Sequence, residues 1–157
     1  MAESDTSALV QQIARVAKGA DLTVAVAESL TCGLVASRLG EGQDASEWFA
    51  GGVVAYSVHV KQSVLGVTPG PVVSARCAEE MATGAAGVAA ADIAISTTGV
   101  GGPDPAEGQA AGTVHLGWAW QGESGSELHR FDGDPSAVLD QTVAAALTLL
   151  LTTMSRR

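Results

Sequence analysis

The sequence predicts an α/β protein, a sandwich in which helices cover a mixed β-sheet. Three observations carry that reading. Short apolar runs at residues 22–27, 48–56 and 92–97 are separated by segments whose apolar residues fall at helical spacing. Residues 113–120 alternate instead, and a second β-type run follows closely, which makes a hairpin before the last helix. The chain has 157 residues, 46% of them hydrophobic, which is enough for one self-sufficient core. With no internal repeat and no linker, residues 1–157 read as a single domain.

Leu9, Val10, Ile13, Val16 and Ala17 recur at helical spacing and predict an amphipathic helix over 7–19, closed by Gly19 and Asp21. Residues 22–27 are a short apolar run that fits a buried strand. That run stops abruptly at Glu28-Ser29, and Leu34, Val35 and Leu39 then mark a helix ending at Gly40. A strand-to-helix turn of this kind puts a side chain and free backbone N–H groups at the edge of a sheet, where they suit a nucleophile or an anion. Residues 42–46 are polar and predict a loop.

Val53, Val54 and Tyr56 supply the β-formers of a strand over 48–56. Val60, Val64 and Leu65 predict a helix that carries Lys61 and closes at Gly66. Pro69-Gly70-Pro71 is a turn cluster, after which Ser74 is placed to N-cap a long alanine-rich helix ending near Ala91. Residues 92–97 form the next strand and run into a glycine-rich loop. Val114, Leu116, Trp118 and Trp120 share one face of a half-buried strand, antiparallel to a neighbour. Residues 121–126 read as the hairpin loop and 128–131 as the returning strand. Asp132-Gly133-Asp134-Pro135 opens the last helix with Pro135 in its first turn, and Val138, Val143, Ala144, Leu147, Leu150, Leu151 and Met154 give it a broad apolar face.

Charge removes several functional classes. The formal net charge is -9, and no basic stripe exists to release counterions from a nucleic acid or to dock on an anionic membrane, so neither is an expected partner. The start, Met1-Ala2-Glu3-Ser4-Asp5, is acidic and lacks the pattern of a signal peptide. No apolar run approaches the ~20 residues of a spanning helix, and the expected location is the cytoplasm. Cys32 and Cys77 make no disulfide framework, and His59, His115 and His129 are not at zinc-site spacing, so no metal site is expected.

Individual residues leave alternatives open. Ser29 at its turn suits a nucleophile if a base reaches it, yet local sequence favours an N-cap, since the surroundings are not the Gly-x-Ser-x-Gly elbow. Glu28 can orient a substrate amine or complement the helix dipole. Lys61 can act as a general base only if its pKa is lowered by several units, whereas a helix lysine is ordinarily solvated. Tyr56, the sole tyrosine, can hydrogen-bond the same site or wet its tip at the sheet edge. The loop Thr98-Gly99-Val100-Gly101-Gly102 has neither the lysine of a P-loop nor the dinucleotide glycine spacing, although its glycines permit close backbone approach to a ligand. Cys32 at the helix start is either a thiol of lowered pKa or a small packing residue, and Trp48, Trp118 and Trp120 read as core or interface residues.

Several segments appear together in a fixed order: Ala27-Glu28-Ser29-Leu30-Thr31-Cys32-Gly33, Ser46-Glu47-Trp48-Phe49, Val54-Ala55-Tyr56-Ser57, Lys61 with Leu65-Gly66-Val67, Val73-Ser74, Thr98-Gly99-Val100-Gly101-Gly102-Pro103 and Gly112-Thr113-Val114. The set resembles the C-terminal domain of the competence-damage-inducible (CinA) family, whose activity is nicotinamide-nucleotide amidohydrolase. The match covers nearly the whole chain. It looks like a stand-alone version of the domain, without the molybdopterin-binding-like domain that precedes it in some members.

The resemblance implies a three-layer α/β/α sandwich with a mixed, mostly parallel sheet, assembled as a homodimer or larger homo-oligomer. It implies hydrolysis of the carboxamide of nicotinamide mononucleotide to nicotinate mononucleotide and ammonia, without cofactor or metal. By position, Ser29 would be the nucleophile and Lys61 its base, with Tyr56 and Ser46 assisting. Glu28, Thr31, Cys32, Gly33, Thr98 and Gly99 would line the small-molecule nucleotide pocket. A pyridinium cation near Lys61 would help keep that lysine neutral. The alternative is a catalytically weak or silent homologue that binds a nucleotide-like ligand or serves as a dimeric scaffold.

The chain departs from the family pattern in three places. Cys32 stands where the family usually has a second glycine. Near the last helix the family commonly shows Gly-Asp-Arg followed by another arginine, whereas Gly133-Asp134-Pro135-Ser136-Ala137-Val138-Leu139 contains neither, and Arg130 lies nearby. An arginine lost from a phosphate contact costs about 1.5–3 kcal/mol. Asp104 and Glu107 add negative charge to the glycine-rich loop.

Overall fold

Valine and alanine alternate through Val24–Glu28 (β1), and all five residues are buried. The side chains of a strand point to opposite faces in turn, so Val24 and Val26 enter one core while Ala25 and Ala27 enter another. In the computed structural model, which describes residues 3–156, β1 lies inside a five-stranded sheet. Met1 and Ala2 of the acidic start, and Arg157, lie outside the described residues.

The sheet contains β2 (Phe49–Val54), β3 (Ile93–Gly99), β4 (Thr113–Trp120) and β5 (Glu123–Arg130) in the order β2-β1-β3-β4-β5. β1 is parallel to β2 and to β3, while β4 and β5 run antiparallel as a hairpin. Glu28 pairs with Val54 on one side and Thr97 on the other, so β1 and β2 end level and β3 runs two residues further, to Gly99. That shared rim collects the loops that follow Glu28, Val54 and Gly99, as in other open α/β sheets whose ligands sit beyond the strand ends.

α1 (Glu3–Ala20), α2 (Leu34–Gly40), α3 (Ala45–Trp48) and α6 (Pro135–Met154) cover one face. Ile13, Leu39, Trp48, Ile95, Leu116 and Leu147 fill the core there, each fully buried aliphatic chain contributing about 1.5–3 kcal/mol. α4 (Val58–Ser63) and α5 (Ala75–Ala89) cover the other, over Ala25, Ala27, Leu65, Met81 and Ala94. Small residues let α5 come close: a Cβ on Gly117 would run into the Ala78 carbonyl. The result is the three-layer α/β/α sandwich.

Several local expectations are corrected. Residues 45–48 are helical, and Trp48 ends that helix rather than opening a strand, its buried indole N–H donating to the Gln43 carbonyl at 3.0 Å. β4 has both faces covered rather than one, by α5 and by α6, because Gly117 and Ala119 on the second face are small enough to admit a helix. The hairpin loop shrinks to Gln121 and Gly122, both with positive φ (55° and 78°), and β5 begins at Glu123. Such two-residue turns match the twist of the strands they join. Finally, α6 is 20 residues long with a mean hydropathy of 1.5, so an apolar stretch of spanning length does exist. Here it is an interior helix with ten buried residues, packed on α1, β3 and β4.

Candidate active site

Ser29 is the first residue beyond β1, its N–H still bonded to the Thr97 carbonyl at 3.0 Å as though the sheet continued. The chain then turns through Cys32 (φ 49°) and Gly33 (φ 99°) into α2. Ser29 therefore does not cap that helix. The N-cap position is Gly33, and Glu28 fills the capping role from the end of the strand. Its buried carboxylate accepts from the Val35 and Ala36 N–H groups, both at 2.9 Å, and from the Thr31 hydroxyl at 2.6 Å. A negative charge at this helix end complements the dipole, and the Ser29 hydroxyl is left available.

Lys61 reaches Ser29 from α4, a helix capped by the Ser57 hydroxyl, which accepts from the Val60 N–H. Its Nζ donates to Ser29 Oγ at 2.9 Å and to the Tyr56 carbonyl at 3.0 Å. Only 2% of the lysine is exposed, and 8% of Ser29. Burial holds the Lys61 pKa below its ordinary value, while the Cys77 sulfur and the Glu107 carboxylate pull the other way. The Cys77 thiol is itself pushed up, first of all by burial.

The pair opens on a crevice of about 370 Å³ beyond the strand ends. Thr98, Gly99, Gly101 and Gly102 form one wall, Val72 and Val73 another, and Pro135 and Leu139 of α6 a third. Thr98 Oγ1 donates to the Val72 carbonyl at 2.7 Å, and Gln109 Nε2 donates to the Val73 carbonyl at 2.7 Å. Glu107 completes this clamp by accepting from the Val72 N–H at 3.1 Å and the Val73 N–H at 2.7 Å. A β-carbon on Gly99 would meet the Thr113 carbonyl, so the strand can lie this close to β4 only with glycine.

Of the residues singled out from sequence, Ser29, Lys61, Tyr56, Thr98 and Gly99 line this crevice together. Tyr56 contributes its carbonyl to Lys61, and 68% of the residue is exposed at the rim. Glu28 and Thr31 lie beneath the floor, Thr31 Oγ1 being 2.8 Å from Thr97 Oγ1. Cys32 is exposed, and its N–H is spent on the Ser29 carbonyl at 3.1 Å inside the turn. Ser46 stands on the exposed side of α3, which enters β2 at its amino end, away from the rim where Ser29 and Lys61 meet. Glu107 and Gln109 were missed as clamp residues, because their partners lie some 35 residues away and no local pattern marks them. Among the described residues no group of three or more His, Cys, Asp or Glu is placed to hold a metal ion.

The family model described as CinA C-terminal domain matches residues 6–154. A CinA-like protein of Frankia casuarinae is 41% identical over 133 residues, 82% of this chain and 31% of that one. The curated relatives it matches are longer, and the chain spans about a third of their length. Among solved structures, a competence-damaged protein (CinA) superfamily protein of Klebsiella pneumoniae superposes with a TM-score of 0.91 at 35% identity, covering 96% of this chain and 98% of that one. The corresponding protein of Escherichia coli gives 0.92 at 34% identity, covering 97% and 93%.

Proposed function

The chain belongs to the CinA C-terminal domain family, and we propose that it is an amidohydrolase converting a primary carboxamide of the nicotinamide-nucleotide type to the carboxylate and ammonia through a Ser29–Lys61 pair. The observation that carries this reading is the 2.9 Å contact between Ser29 Oγ and the amine of a buried lysine whose pKa burial lowers. A neutral Lys61 donates one hydrogen to the Tyr56 carbonyl and turns its lone pair to the Ser29 hydroxyl.

Ser29 Oγ passes its proton to Lys61 Nζ and attacks the carboxamide carbon. Main-chain N–H groups at Leu30, or at Gly101 and Gly102 across the crevice, stabilise the oxyanion. The lysine gives its proton to the departing nitrogen, ammonia leaves, and an ester to Ser29 remains. Water then attacks the ester, losing a proton to Lys61 that is finally returned to Ser29, and the acid is released. The test is ammonia release from nicotinamide mononucleotide, with Ser29→Ala as control; turnover that survives this substitution removes the nucleophile assignment.

The alternative reading is a homodimeric scaffold whose catalysis is weak or absent, and its dimeric part is supported by the exposed Val54, Tyr56 and Val58, with Leu34 also exposed close by. Light scattering and the ammonia assay separate the two. A dimer without turnover supports the scaffold, and a monomer with turnover removes it.

A further inference from the structure

A second cavity, about 730 Å³ in volume, lies at the end of the sheet opposite the Ser29 crevice. Trp120 lines it, at the end of β4 where that strand pairs with Ile93, the first residue of β3. Val16 and Met154, near the C-terminal ends of α1 and α6, and Leu22 from the link into β1 give it an apolar wall. Against that wall stand donors without acceptors. Arg15 lines the cavity and has no hydrogen bond or ion pair among the described residues. Arg156, also in the lining, is held over the Trp118 ring at 5.0 Å from its centroid, a contact that uses no acceptor. The Trp120 indole N–H is the one buried side-chain polar group without a hydrogen-bond partner among the described residues. A buried indole N–H ordinarily finds an acceptor, so an orphan one asks for an explanation.

The rest of the protein does not spend its cations this way. Lys18, Arg38 and Arg76 each pair with a carboxylate. Two arginines without a carboxylate partner, in a chain of net charge -9, converge on one cavity. The negative ends of α1 and α6 favour cations nearby, but they do not occupy the guanidinium donors. The Ala17 and Lys18 carbonyls accept from the Leu22 and Asp21 N–H groups. Those of Leu151, Thr152 and Thr153 accept from the main-chain N–H groups of Ser155 and Arg156.

We propose that this cavity is a second ligand site, taking a small organic anion in which a phosphate or carboxylate is carried on a flat apolar ring. Arg15 and Arg156 donate to the anion, since a guanidinium is a planar fork matched to carboxylate and phosphate oxygens. The ring packs on Trp120, Leu22 and Met154. A small rotation of the half-buried Trp120 brings its indole N–H to an acceptor on the ligand. The site stands apart from the crevice, at the other end of the strands, and does not depend on the amidohydrolase reading.

Adenosine monophosphate and benzoate are the probes, read by NMR from the three tryptophan indole N–H signals, with Trp120→Phe identifying the Trp120 signal. At least one probe is expected to move that signal saturably, with a Kd of about 1 mM or below, while the Trp48 signal stays in place. Saturation by adenosine monophosphate alone marks a phosphate site, and by benzoate alone a carboxylate site. The uncharged counterparts, adenosine and benzyl alcohol, are expected to bind roughly tenfold more weakly or worse. Arg15 and Arg156 are exposed, so Arg15→Gln and Arg156→Gln should keep the wild-type Tm. Each is expected to weaken binding of the successful probe roughly fivefold to tenfold. A Trp120 signal unmoved by ~10 mM of either probe overturns the proposal. So does an uncharged counterpart that binds as tightly as its anion, or a pair of arginine variants that bind like the wild type. Movement confined to the Thr98 and Gly99 amides places the probe in the crevice and overturns it too.

Discussion

Lys61 Nζ stands 2.9 Å from Ser29 Oγ, although 32 residues separate the two in sequence. Ser29 arrives at the end of β1, inside the sheet, and Lys61 on a short helix beyond the edge strand β2, so only the finished sheet brings them together. Burying an amine is expensive unless its charge is paired or given up, and no carboxylate is hydrogen-bonded to Lys61 Nζ among the described residues; its partners are a hydroxyl and a carbonyl. Such an arrangement is intelligible for a proton carrier. Ser29→Ala and Lys61→Met are each expected to reduce ammonia release roughly a thousandfold or more, and the double variant to be little worse than either alone, because the two act as one unit. Steady-state rates for the three proteins check this.

The lowered pKa of Lys61 has opposite signs for rate and for stability. The proposed hydrolysis uses the neutral amine, so under that proposal kcat/KM is expected to rise with pH through the folded-state pKa of Lys61, below the usual lysine value, and then level off. Glu107 holds that pKa up by its charge, so Glu107→Gln should move the limb to lower pH. In stability, the unfolded lysine keeps its proton up to its ordinary pKa while the folded one has lost it. Between those two values the unfolded state binds more protons, and the free energy of unfolding climbs with pH. Lys61→Met should therefore be more stable than wild type at neutral pH, with the gap closing as pH approaches 10.5. Urea midpoints at a series of pH values read the effect.

Local grammar made much of this fold legible. Ser74 caps α5, Asp134 and Pro135 open α6, and the apolar run through Ile95 is a buried strand, since each depends on neighbours within a few residues. Two features were not legible in that way. The serine at the turn reads as a helix cap, but two residues in the left-handed region postpone the helix to Leu34 and bring the Glu28 carboxylate, seven and eight residues back, onto its N–H groups. A lysine on a six-residue helix reads as solvated, and its burial follows from where β2 releases the chain beside α5. The ordered family motifs pointed to Ser29 and Lys61 where the local pattern did not.

Glu28 supports the site from below. Its carboxylate accepts three hydrogen bonds inside the protein, two of them from the first turn of α2. Glu28→Ala would leave two buried N–H groups and the Thr31 hydroxyl without that acceptor, at a cost of about 2–4 kcal/mol. Glu28→Gln keeps one acceptor oxygen and is expected to lose about half as much. Both variants should lower kcat by loosening the turn that carries Ser29, which denaturant unfolding and ammonia release can follow in parallel.

The contact between α5 and the sheet depends on Gly117. A β-carbon there would collide with the Ala78 carbonyl and Ser96 Oγ, which are themselves joined by a 2.5 Å hydrogen bond. The nearest neighbour is the Ala78 carbonyl, backbone of α5, so the helix itself would have to move. Gly117→Ala is expected to destabilise by about 1–3 kcal/mol, lowering Tm by roughly 2–4 °C per kcal/mol. Scanning calorimetry measures it, and an unchanged Tm would mean that α5 shifts at little cost.

Cys32 occupies the left-handed region, φ 49°, where a side chain costs ~1–2 kcal/mol and glycine costs almost nothing. Glycine in turn loses more freedom on folding, ~0.4–1 kcal/mol, so Cys32→Gly is expected to stabilise by only ~0.5–1 kcal/mol. The thiol is exposed, outside the crevice lining, and the Cys32 N–H already serves the Ser29 carbonyl. Neither alkylation of the thiol nor its replacement should then change hydrolysis by more than roughly threefold, or ~0.7 kcal/mol of transition-state stabilisation. Mass-verified alkylation followed by the ammonia assay is the measurement. A large loss on alkylation would place the thiol against bound substrate and require the crevice to extend across the turn.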